Sequence, residues 1–140
     1  MNIYGSSTEL KQAAEGGDVQ AQLELGNAYR NGKSVEPSDE LAFKWFKAAA
    51  DGGNKKAYVE VALCYMYGKG TQQDSDSAMK YFLTAADGGD ERAQIYVGIN
   101  YADGKGVERN LDKAKEYLEK AAKSGDAFAL KLIEEINKTV

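Results

Sequence analysis

Residues 54–89 open with Asn54-Lys-Lys-Ala57-Tyr-Val-Glu-Val61-Ala62-Leu-Cys64-Tyr65-Met-Tyr67-Gly68-Lys69-Gly70. After a polar stretch they close with Ala78-Met-Lys-Tyr81-Phe82-Leu-Thr-Ala85-Ala86-Asp-Gly88-Gly89. The same pattern stands before this stretch and after it. Gly17, Gly53, Gly89 and Gly125 each fall 36 residues after the last. A fixed period of this length marks a stacked repeat, because one such unit cannot bury its own apolar face.

Within each unit the spacing predicts two helices. Ala21, Leu25, Ala28 and Tyr29 fall on one face of a 3.6-residue helix, as do Ala57, Val61, Cys64 and Tyr65. In the third unit Ala93, Val97 and Tyr101 keep the spacing and Asn100 breaks it. First helices are expected over about 19–31, 55–67 and 91–102. Asp18, Asn54, Asp90 and Asp126 recur at their starts, where a side-chain oxygen can accept free backbone amides. Gly32, Gly68 and Gly104 stop them. Ser38, Asp74 and Asn110 then cap second helices over about 39–51, 75–87 and 111–123, with Glu40, Asp76 and Asp112 placed to favour the positive helix end. Ser6 and Glu9 form a capping box for a short helix, about 7–15, that stops at Gly16-Gly17. A last helix, about 127–138, carries Glu134 where earlier units have Gly26, Ala62 and Gly98, and Asn137 where they have tyrosine. That polarity suits a terminal cap.

The reading is therefore one repeat domain: an N-terminal half unit at 7–17, full units at 18–53, 54–89 and 90–125, and a capping helix at 126–140. Eight positions are identical in all three full units, those of Ala21, Tyr29, Gly32, Lys33, Ala42, Ala49, Ala50 and Gly53. Six of them are alanine or glycine, which lets helix backbones approach closely. Gly26 and Gly98 are expected to face Ala42 and Ala114, with Tyr29, Trp45 and Phe46 filling the space between units.

The bulk composition narrows the function. Of 140 residues, 43% are hydrophobic and 29% charged, as in a soluble globular chain. The net charge of −4 argues against duplex nucleic acid as the main partner. One cysteine, Cys64, allows no internal disulfide. No secretion signal opens the chain and no apolar run is long enough to span a membrane, so a cytoplasmic location is expected.

Ala21-x-x-x-Leu25-Gly26-x-x-Tyr29-x-x-Gly32-Lys33, followed by Ala42-x-x-Trp45-Phe46-x-x-Ala49-Ala50-x-x-Gly53, resembles the Sel1-like repeat, a relative of the tetratricopeptide repeat. The likeness runs from about Gly17 to Gly125. It departs at Ser34, which replaces the second glycine of Gly-Lys-Gly, and at Ala62, which replaces the glycine of the first helix. The paired cysteines of the cysteine-rich Helicobacter branch are missing. The resemblance implies an all-α, right-handed α-solenoid of about eight helices in antiparallel pairs, with a concave face built largely by the first helices. It further implies a non-catalytic module that binds another protein or peptide, in bacterial signalling, stress, host-interaction or toxin–immunity settings.

Carrying the tetratricopeptide register over places Leu23, Asn27 and Arg30 toward that face in the first unit. The second adds Lys56, Val59, Leu63, Met66 and Tyr67, and the third Arg92, Ile95 and Ile99. Such an apolar line edged by basic groups suits a segment with hydrophobic anchors and acidic neighbours. Leu23, Val59 and Ile95 have a second reading, as core residues packed against the preceding second helix. Tyr67 and Met66 are expected to carry the most contact energy. Lys33, Lys69 and Lys105 make a periodic row that is either a solvated edge or a grip for acidic groups.

Catalytic chemistry has little to work with. The chain has no histidine, which removes the usual general base and metal ligand. Gly-Lys-Gly lacks the phosphate-loop spacing and follows a helix rather than a strand. Cys64 lies on an inward position, as an inert thiol would. No enzyme, cofactor or metal is expected. The reading is a cytoplasmic, monomeric protein-binding module, in its sharper form an immunity or inhibitor protein against a bacterial toxin. An adaptor in signalling or host interaction is the alternative. A hydrolase acting on β-lactam or peptidoglycan is a more distant one, since a Ser-x-x-Lys motif is missing.

Overall fold

A computed structural model describes residues 3–139 and contains eight helices: α1 (Ser7–Glu15), α2 (Val19–Asn31), α3 (Asp39–Asp51), α4 (Lys55–Tyr67), α5 (Ser75–Asp87), α6 (Glu91–Asp103), α7 (Leu111–Lys123) and α8 (Ala127–Lys138). No strand occurs among the described residues. The expected helix limits hold except that α6 runs one residue further. The reason is that every cap works. Ser6, Asp18, Ser38, Asn54, Asp74, Asp90, Asn110 and Asp126 each accept a backbone N–H from three residues on. Gly32, Gly68 and Gly104 close the first helices in the left-handed conformation.

The helices form two compact units, one up to Gln73 and one from Asp74. In each, every helix packs against the next: α1 to α4 in the first, α5 to α8 in the second. The first unit buries Ala14, Ala21 and Leu25 together, with Tyr4, Leu10, Tyr29 and Trp45 packed around them. The second buries Ala114, Leu118, Ala121, Ala129 and Ile136.

The small residues work as expected: a Cβ on Gly98 would lie 3.2 Å from the Ala114 carbonyl oxygen, and larger side chains approach closer still. A Cβ on Gly26 would lie 2.6 Å from a Phe46 ring carbon, and one on Gly98 would lie 2.5 Å from Leu118 Cγ. The side chains over the two glycines are thus Phe46 and Leu118, one turn beyond Ala42 and Ala114. Side chains on a helix lean toward its N-terminus, so each covers the surface of the preceding turn. Phe46 accordingly packs against α2 of its own helix pair.

One turn requires glycine outright. Gly70 and Gly106 have φ near +75°, and a Cβ there would run into the carbonyl oxygens of Asp39 and Ser75, the first residues of α3 and α5. Ser34 holds the same place in the first full unit with φ +66°. It is accommodated because α1 begins at Ser7, a turn later in register than α3 and α5. Where that turn would stand is an open cavity of about 540 Å³ lined by Gly5, Ser7 and Ser34 among others.

Candidate binding surface

In the first unit the expected surface residues divide into two groups. Leu23 (5% exposed), Val59 (0%) and Met66 (8%) lie in the core. Val59 in particular has no surface to offer a partner, which corrects its assignment to the groove and favours the packing reading for it and for Leu23. Asn27 is half-buried and Arg30 and Lys56 are exposed. Leu63 is half-buried, and Tyr67, one turn on along α4, is 61% exposed. Leu63 and Tyr67 stand four residues apart and so share a face.

Arg30 is not a free cation. It pairs with Glu60, donates to Asn27 Oδ1 at 2.9 Å, and sits 5.5 Å over the Phe46 ring. The Arg30 side chain is 44% exposed and that of Glu60 only 11%. A nearly buried carboxylate needs such a partner, since leaving it unpaired is costly. Glu60 was invisible to sequence reasoning. It lies on the next unit's first helix, 30 residues from Arg30, and no local periodicity links the two.

In the second unit Arg92 is exposed, and Ile95 and Ile99 are half-buried. Ile95 rests against the core of α7 and α8. Ile99 borders an apolar groove of about 240 Å³ between α6, α7 and α8. Asn100, where the apolar pattern broke, is 2% exposed and donates weakly to Met79 Sδ at 3.8 Å, while its Oδ1 has no partner. The pattern broke without the residue leaving the core.

The remaining candidates show no reactive arrangement. Burial and, after it, the Glu60 charge push the Cys64 thiol up to about 11. At neutral pH that lowers the thiolate fraction about a hundredfold. Cys64 is therefore expected to react with Ellman's reagent only as fast as the chain opens. Rapid labelling of the folded protein would contradict its placement. Lys33, Lys69 and Lys105 are all exposed. Among the described residues no three histidine, cysteine or acidic groups converge as metal ligands, and no helix is long and apolar enough to cross a membrane.

The family model described as the Sel1 repeat matches residues 19–54, 55–90 and 91–126. Its units begin one residue later than those drawn from the glycines. No curated protein matches the chain at a significant level. Among solved structures, a Sel1 repeat protein from Oxalobacter formigenes is 36% identical with a TM-score of 0.81, covering 91% of this chain and 96% of that one. The protein c5321, a protective antigen present in uropathogenic Escherichia coli strains and displaying an SLR fold, is 33% identical with a TM-score of 0.85. That match covers 87% of this chain but 26% of the antigen, so this chain spans only about a quarter of its length. Helicobacter pylori cysteine rich protein B (hcpB) has a TM-score of 0.69 at 23% identity over 91% of this chain and 98% of that one, a likeness of fold.

Proposed function

The chain belongs to the Sel1 repeat family, and from that premise we propose that it is a non-catalytic module holding another protein or peptide against the exposed side of its first helices. The observation that carries this is Tyr67. A tyrosine 61% exposed at the end of α4, with Leu63 one turn before it, is a large apolar group that the core of its unit does not use. Tyrosine is enriched among residues that dominate binding energy, because it offers much contact area for few rotatable bonds. Lys56 on the same helix adds positive charge, which suits a segment with apolar anchors and acidic neighbours.

In the sharper form of this proposal the partner is a bacterial toxin domain, and the chain masks it as an immunity protein in the cytoplasm. The second reading is an adaptor in signalling or host interaction. It draws support from the 33%-identical relative, which is a protective antigen of uropathogenic strains. The two differ in partner and not in surface. Turnover of β-lactam or peptidoglycan substrates is expected to be absent in a hydrolysis screen.

Affinity capture from the native cell extract, with the natural chain and with Leu63→Ala combined with Tyr67→Ala, tests the surface. The double variant is expected to lose at least about 2 kcal/mol of binding, near thirtyfold, as truncated hot spots do. Undiminished affinity would move the site off α4. A toxin domain among the captured proteins supports the masking role, and a signalling or host protein supports the adaptor.

A further inference from the structure

The two units use one place in the repeat differently. In the first, the slot beside α2, α3 and α4 is filled by Arg30, lying over Phe46 and tied to Asn27 and Glu60. Two repeat lengths on, the residues at these positions are Ala102 for Arg30, Leu118 for Phe46, Ile99 for Asn27 and Leu132 for Glu60. Arginine has become a methyl group, and the ring beneath it a smaller side chain. The slot between α6, α7 and α8 therefore stands open, as the groove of about 240 Å³.

Its chemistry is that of a vacated arginine site. The walls are apolar, from Gly98, Ala102, Leu118 and Leu132. Asp103 and Glu135 also line it, both are exposed, and neither has an ion-pair partner among the described residues. Arg109 is the one cation of the lining, and its Nε donates to the Ala102 carbonyl at 3.1 Å. The lining thus keeps a net negative charge.

We propose that this groove receives an arginine side chain from a partner peptide, its stem on Ile99, Ala102 and Leu132 and its guanidinium on Asp103 and Glu135. The proposal rests on the protein-binding reading and names the chemistry of one subsite within it. The first unit shows that the repeat accommodates a guanidinium-tipped chain at this place. Guanidinium is planar and weakly hydrated, so it can lie along apolar walls and still pair with carboxylates at the edge. A purely apolar anchor would strip water from both carboxylates without pairing them.

The test is a titration of the ¹⁵N-labelled full chain with acetyl-Gly-Arg-Gly-amide and with its neutral citrulline counterpart. Saturable shifts at the amides of Gly98, Ala102 and Leu132 are expected with the arginine peptide, and affinity about tenfold weaker with citrulline. Ala102→Arg, which refills the slot as Arg30 does in the first unit, is expected to abolish the shifts. Should that variant fail to fold, Asp103→Asn combined with Glu135→Gln removes both negative charges while leaving the groove's shape. It is expected to bring the arginine peptide down to the citrulline affinity. Missing shifts, equal affinity for the two peptides, or binding undiminished in these variants would overturn the proposal. The α4 double variant reports on protein binding separately, so failure of this subsite leaves that reading distinguishable.

Discussion

Phe46→Ala is expected to destabilise the first unit by about 3–5 kcal/mol, the range for removing a buried aromatic ring. The ring is 1% exposed and fills the space that Gly26 leaves on α2. Gly26 has no side chain to help fill the void. The change also strips the surface on which Arg30 lies while leaving its bond to Glu60. Repeat proteins open in parts, so the measurement should resolve them. Hydrogen exchange of the α2 and α3 amides in rising urea reports the loss locally. Phe46→Leu is the comparison and is expected to cost less than about 1.5 kcal/mol. Leucine already serves at that position in the second unit, where Leu118 covers Gly98. A Phe46→Ala cost below about 1 kcal/mol would remove the glycine–ring contact as the basis of the helix pair.

Gly106→Ala is expected to cost the second unit about 3 kcal/mol. Two effects act together. Alanine at φ +75° carries a steric penalty of about 1–2 kcal/mol. Its Cβ must also displace the carbonyl of Ser75, a main-chain atom with no flexible end to swing away, at a further cost of about 1–3 kcal/mol. Ser34→Ala is the control. Position 34 already holds a side chain in the same conformation beside open space, and its substitution is expected to change stability by no more than about 0.5 kcal/mol. Ser34→Gly isolates the conformational penalty and is expected to stabilise by about 1–2 kcal/mol. A Gly106→Ala cost no larger than that gain, both read from urea midpoints, would show that the Ser75 carbonyl plays no part.

The helix limits were legible because they are set locally. A cap three residues from the amide it binds, and a glycine at the end of an apolar stripe, are both visible without tertiary information. The candidate surface was less legible, and α4 shows why. Ala57, Val59, Val61, Ala62, Leu63, Cys64 and Met66 leave no polar face to mark the outside. Val59 and Tyr67 then look alike in sequence, although one is fully enclosed and the other stands in solvent. Only packing against α3 and the rest of the fold distinguishes them. The Arg30–Glu60 pair, the Phe46 and Leu118 contacts and the open slot at Ala102 share this property. Each depends on which helix lies opposite, and a repeat pattern states that two helices meet without stating which side chains do.

A partner held on the exposed side of α4 shields the backbone there, and hydrogen exchange on the complex with its captured partner measures that shielding. Exchange is expected to slow in the segment 56–67, around Leu63 and Tyr67. Slowing confined to α3, with that segment unchanged, would contradict that placement.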